Sequence, residues 1–130
     1  MRVRLDLRYT DYDSRGHVNN AVFLTYFEIA RHRAWRVLTG LTADFPFIVL
    51  EAAVRYHSQA RFGDRLAVDI AVTEVRTKAW VWSYRVIETR DERLVAEGHT
   101  VQVMFDYDAQ RTIPIPDVIR TNLTTTVKGA

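Results

Sequence analysis

The chain contains no cysteine, which removes disulfides, thiolate nucleophiles and cysteine-bound metals from consideration. It has no apolar run of membrane-spanning length, and its opening "MRVRLDLRY" alternates polar and apolar residues where a signal peptide would have a continuous apolar core. No membrane association is expected, and a soluble cytoplasmic protein is the default. Charge of one sign is also missing: eighteen Lys and Arg face sixteen Asp and Glu, net +2, with no long run of like charges. Nucleic acid is therefore not an expected partner. Single arginines stay available for the phosphates of a small molecule, which suit a guanidinium fork. Proline is scarce, and two of the three stand in "IPIP", residues 113–116.

What is present is enough for one core. The 130 residues are 48% apolar, with three Trp, six Tyr and six Phe, the composition of a single folded domain. We place that domain at 1–117 and expect 118–130, ending "TNLTTTVKGA", to be a loosely ordered tail with too little apolar surface to pack.

Val3, Leu5, Leu7 and Tyr9 alternate with polar residues, the period of a strand with one buried face. Ala21–Leu38 carries Phe23, Phe27, Ala30, Ala34 and Val37 at helical spacing, with Gly40 as its stop. Its first half, "AVFLTYFEIA", is apolar on nearly every side, so sheet or a partner subunit should wrap it, whereas "RHRAWRVL" carries charges on one face. Four strands follow at Phe47–Tyr56, Leu66–Val75, Lys78–Glu88 and Leu94–Phe105, separated by short turn-like segments that favour antiparallel pairing. Gly98 inside the last strand marks a bulge or a close backbone approach, and "IPIP" ends the sheet because proline cannot donate to a ladder. The order predicts an α+β domain: one long central helix wrapped by a curved antiparallel sheet of about five strands. One helix cannot cover all of that sheet, which predicts pairing with a second copy.

The chemistry concentrates in "YTDYDSRGHVNN", residues 9–20. Asn19 or Asn20 suits an N-cap, and the helix start beyond it offers unpaired N–H groups and a positive dipole end that could polarise a carbonyl. Asp11 and Asp13, two apart on an extended chain, would point the same way and raise one another's pKa while the helix terminus lowers both. Either carboxylate could serve acyl transfer as nucleophile or base, or both could be turn residues bonded to their own backbone. A metal site of Asp11, Asp13 and His17 lacks a further ligand at helical spacing, and Glu28 with His32 lies two to three turns away. No metal and no cofactor are expected. His57 and His99 read as isolated structural histidines in strands.

The stretch D-x-D-x-x-G-H-V-N-N followed by "FLTYFEIAR", with "ARFGDRL" and "IPIPD" downstream, resembles the hot-dog-fold acyl-CoA thioesterases of the 4-hydroxybenzoyl-CoA thioesterase-like family, across nearly the whole chain to Asp117. The resemblance implies a helix wrapped in sheet, dimers or tetramers with sites at the subunit interface, and hydrolysis of an acyl-CoA thioester. It carries the catalytic carboxylate onto Asp13, the carbonyl-holding N–H onto Asn20 and the turn glycine onto Gly16. His17 matches the H-V-N-N variants as a positioning group and departs from 4-hydroxybenzoyl-CoA thioesterase itself. Tyr26 and Phe27 match packing aromatics. Arg61, Arg76 and Lys78 are candidates for the CoA phosphates. Related hydratases space their Asp and His by five around N-P, unlike Asp13 and His17. Alternatives are an acyl-carrier-protein thioesterase, a site using Glu28 as its carboxylate, and a non-catalytic acyl-CoA-binding module, to which Asp13 would be superfluous.

Overall fold

A computed structural model of the chain describes residues 1–40 and 45–126. Its elements are β1 (Arg2–Arg4), α1 (Val22–Thr39), β2 (Phe47–Tyr56), β3 (Leu66–Val75), β4 (Ala79–Glu88), β5 (Arg93–Asp106), β6 (Arg111–Thr112) and α2 (Asp117–Thr125). One antiparallel sheet runs β1-β3-β4-β5-β2, with β6 beside β5, and α1 lies across its inner face.

The period-two residues become that inner face. Val68, Ile70 and Val72 of β3, Trp80, Trp82, Tyr84 and Val86 of β4, and Ala96 and Met104 of β5 are buried against Phe23, Phe27, Ala30 and Trp35 of α1. Trp35 stacks on Trp80 at 5.8 Å between centroids, with Phe47 edge-on to both. Aromatic pairs in these geometries add to the area they bury.

Gly98 is a close approach and not a bulge. It pairs with Tyr84 on one side and Val54 on the other, and a Cβ there would run into the Ala53 carbonyl and reach within 2.8 Å of the Phe27 ring. Phe27 stacks on Tyr84 at 4.2 Å and 8°, so the absent side chain lets the helix aromatic lie flat on the sheet. The register shifts fall elsewhere, at Val49/Glu51, Val72/Glu74 and Val86/Ile87.

Four expectations change. The first strand stops at Arg4 instead of running to Tyr9, because the chain turns into a 3-10 turn at Tyr9–Asp11; Tyr9 is exposed. The tail is partly ordered: Ile115, Ile119 and Leu123 recur every fourth residue, and α2 buries Leu123 completely while Asn122 donates to the Leu38 carbonyl at 3.0 Å. Residues 127–130 lie outside the described residues. Val37 faces outward although its spacing predicted burial, and Arg31, placed on the charged face, is buried. The helix ends as expected, with Gly40 at φ +74 donating to the Arg36 carbonyl at 2.8 Å, a conformation that only glycine adopts without penalty.

The wrapping of α1 is one-sided within the chain. Leu24 and Ile29 on the first half of the helix stay exposed. β2 pairs with β5 on one side only, and its Val49, Leu50 and Tyr56 are exposed.

Candidate active site

The loop ahead of α1 is built on two carboxylates that do opposite things. Asp11 is 1% exposed. Its Oδ2 accepts the Arg8 N–H and the Tyr26 hydroxyl, both at 3.0 Å, and its Oδ1 accepts the Arg8 guanidinium at 3.0 and 2.9 Å. Burial pushes its pKa up, but the Arg8 N–H, the Tyr26 hydroxyl and the Arg8 side chain outweigh that and hold it below the ordinary range. Both oxygens are committed, which makes Asp11 the peg that fastens the loop to the helix.

Asp13 points away from it. The expectation that the two carboxylates share a direction fails because Tyr9–Asp11 is a 3-10 turn and not extended chain. They do not raise one another's pKa; each lies below the ordinary range. The Asp13 Oδ1 accepts the N–H groups of Arg15 at 2.9 Å and His17 at 3.0 Å, while its own N–H donates to the His17 carbonyl at 2.7 Å. The His17 N–H, then the Arg15 N–H, lower its pKa. Gly16 turns the chain at φ +76, where a side chain would be strained. The second oxygen, Oδ2, has no partner among the described residues.

Nearly every backbone N–H from Arg15 to Phe23 is taken. Arg15 and His17 donate to Asp13, Gly16 to the Asp13 carbonyl, Val18 to Ala60, Asn19 to Asp11, Ala21 to the Asn19 side chain at 3.0 Å, Val22 to Asn19 and Phe23 to Asn20. The Asn20 N–H alone has no acceptor among the described residues. Asn19 thus closes a side-chain turn ahead of α1, while Ala21 occupies the cap itself. The Asn20 carbonyl is also anchored, accepting the Tyr56 hydroxyl at 2.7 Å.

These groups meet in one cleft of about 560 Å³ lined by Asp13, His17, Asn20, Phe23, Tyr56 and His57, among others. Arg61 bridges by backbone to His17 at its edge, and its side chain has no partner among the described residues. The structure therefore brings Asp13, Gly16, His17, Asn20 and Arg61 together. Arg76 and Lys78 are not with them: the β3–β4 turn is the length of β3 away, about 33 Å at ~3.3 Å per residue. There Arg76 pairs with Glu74 at 2.7 Å and Lys78 donates to Thr112 at 3.3 Å. Glu28 lies some 12 Å down α1 from Asn20, eight residues at ~1.5 Å each, in a separate groove.

Sequence reasoning missed Tyr56. Alternation counted from Phe47 would put Tyr56 on the outer face; the register shift at Val49/Glu51 turns it inward and the paired sheet brings it to the helix start. His57 is not a strand residue: it follows β2, lines the cleft and sits 3.2 Å from Glu97.

A single long helix laid on a curved antiparallel sheet, with a polar cleft at the helix start, is the hot-dog architecture. A profile of the thioesterase-like superfamily matches residues 7–123, and the chain belongs to that superfamily. The acyl-CoA thioester hydrolase YbgC of Escherichia coli O6:H1 is 25% identical over 103 residues, 75% of this chain and 76% of its own. The long-chain acyl-CoA thioesterase FadM of Escherichia coli K12 is 24% identical, covering 98% of this chain and all of its own. Among solved structures, a thioesterase from Thermus thermophilus complexed with coenzyme A and Zn superposes with a TM-score of 0.86 at 30% identity, covering 96% of this chain and 92% of that one. No helix among the described residues is long and apolar enough to cross a membrane.

Proposed function

We propose that this protein is an acyl-CoA thioesterase in which Asp13 is the reacting carboxylate and the Asn20 N–H receives the oxyanion. The observation that carries the reading is the leftover hydrogen-bonding capacity: one carboxylate oxygen and one helix-start N–H, in a single cleft, with their neighbours already committed. A preorganised donor aimed at developing negative charge is worth about 10²–10³ in rate. Tyr56 holds the Asn20 peptide from its other side, and the His17 backbone holds the carboxylate.

Two routes fit. The Asp13 Oδ2 can add to the thioester carbonyl; the oxyanion collapses, CoA thiolate leaves, and water hydrolyses the resulting anhydride. Alternatively Asp13 takes a proton from a water that adds to the carbonyl, and the proton passes to the departing thiolate. A single turnover in ¹⁸O-water bears on them: label on Asp13 shows the first route, with water attacking the Asp13 side of the anhydride, whereas the second route never labels Asp13. Arg61, whose backbone bridges to His17, is the candidate for a CoA phosphate from within the same chain.

The site also suits a two-fold assembly. The open edge of β2 and the exposed Leu24 and Ile29 on α1 are apolar surface that a second copy would cover, closing the cleft from the other side. A soluble, cytoplasmic homodimer or homotetramer is the corresponding state, checked by sedimentation.

The test is thiol release by the purified protein over acyl-CoAs of varied length and aromatic character, with acyl-carrier-protein thioesters alongside. Hydrolysis lost in Asp13→Asn is the expected result. Full activity in that variant defeats the assignment of Asp13; tight acyl-CoA binding with no turnover favours a binding module instead.

A further inference from the structure

Arg31 is the one buried cation among the described residues, 8% exposed. The buried carboxylates, Asp11 and Glu88, are bonded at both oxygens. Arg31 has no carboxylate partner among the described residues: its Nε is buried without a partner, and one terminal nitrogen reaches only the Tyr84 hydroxyl, at a long 3.5 Å. That hydroxyl is itself hydrogen-bonded to Thr100. A buried charge without a counter-ion is costly, and an anion reaching Arg31 would remove the cost.

A surface groove reaches it. Arg31 and Thr100 line a groove of about 320 Å³ between α1 and β2, together with Leu24, Glu28, Val49 and Ala52. Leu24 is one turn along α1 from Asn20, and Ala52 lies four residues before Tyr56 on β2, so this separate groove opens one turn along α1 from the Asp13 cleft. Glu28 lines it too but makes no ion pair with Arg31 among the described residues. Asn20 and Arg31 are eleven residues apart, about 16 Å along the axis, and the Arg31 side chain leans back toward the helix start. At about 3.8 Å per three bonds, the gap suits a chain of roughly eight to twelve bonds.

We infer that this groove takes the acyl chain and that Arg31, with Tyr84 and Thr100, receives a carboxylate at its far end, so that the preferred substrates are medium-chain ω-carboxyacyl-CoA thioesters. The inference rests on the thioesterase reading for the position of the thioester. The carboxylate could instead come from a second copy of the chain, and the experiment separates these sources.

The measurement is kcat/KM for the mono-CoA thioesters of octanedioic and decanedioic acids against octanoyl- and decanoyl-CoA. In the wild type the ω-carboxylate should be favoured by roughly ten-fold or more, the value of one charge-assisted hydrogen bond. The preference should vanish in Arg31→Met and partly survive in Arg31→Lys. A wild-type ratio of one or below overturns the inference, needing no variant. A ratio of one combined with loss of the oligomer in Arg31→Met assigns the counter-charge to the second copy and overturns it too. If no thioester is hydrolysed, the thioesterase reading has failed separately. Free octanedioate then decides: a raised Tm in the wild type but not in Arg31→Met supports the anion site, and no shift overturns it.

Discussion

The turn joining β4 to β5 is the more densely charged, with five Asp, Glu and Arg residues in 88–93 against three in the loop at residues 11–20, yet it is the loop that has something left over. At the β4–β5 turn, Glu88 accepts N–H groups of Arg65 and Arg90 and the Arg90 guanidinium across both oxygens, and Asp64 accepts Arg61, Arg90 and Arg93. Every oxygen is used, and the network ties the 61–65 segment to the sheet. In the loop the same economy stops short: Asp13 keeps one oxygen and Asn20 one N–H. Charge density does not mark a site here; unspent hydrogen-bonding capacity in a cleft does.

The largest effect that would break this comparison is on rate. Asp13→Asn keeps an oxygen for the Arg15 and His17 N–H groups, so thermal unfolding should barely move, while kcat for acyl-CoA hydrolysis falls about 10²–10⁴-fold. A large fall in Tm with it would put Asp13 among the structural carboxylates. Asp11→Ala should do the reverse. It strands the Tyr26 hydroxyl and the Arg8 N–H, costing about 2–4 kcal/mol in denaturant unfolding, with activity lost only as far as the fold is lost.

Gly98→Ala should destabilise by a similar amount, about 2–3 kcal/mol, since the new Cβ meets backbone and the Phe27 ring; equilibrium unfolding measures it. Glu88 sharpens the comparison through pH. Its Arg90 partner lowers its pKa from 4.5 to about 2, and a depressed carboxylate stabilises the fold above its unfolded pKa and loses that contribution as pH falls through the folded one. The acid limb between about pH 4.5 and 2 should therefore flatten in Glu88→Gln, read by Tm against pH. The smallest effect is Tyr56→Phe, which frees the Asn20 carbonyl. One neutral hydrogen bond is worth about 1 kcal/mol, so stability should fall by about that much and kcat should drop a few-fold.

Much of the fold was legible because it is periodic. Alternation within each strand shows which residues face α1, apart from the register shifts at Val49/Glu51, Val72/Glu74 and Val86/Ile87, and the helical spacing of Phe23, Phe27 and Ala30 shows which side of α1 meets them. Asp13, Gly16, His17 and Asn20 stood together because the loop that carries them is contiguous. Arg76 and Lys78 were named by their position as basic residues at the sheet surface, and within the chain only Arg61 adjoins the Asp13 loop, since position in the sequence does not say which end of a strand a turn occupies. The helix at Asp117–Thr125 was overlooked because three apolar residues among threonines are a weak signal until α1 and β3 offer them a surface.

By itself, then, the sequence determined the long helix, the four long strands and the polar loop that feeds α1, since these follow from local periodicity and turn chemistry. Only the tertiary structure decided that Asp11 is spent and Asp13 is not, that Tyr56 reaches the Asn20 carbonyl, and that Arg31 is buried without a counter-ion among the described residues. Those are statements about which hydrogen bonds remain unmade, and that depends on what the rest of the chain brings within about 3 Å.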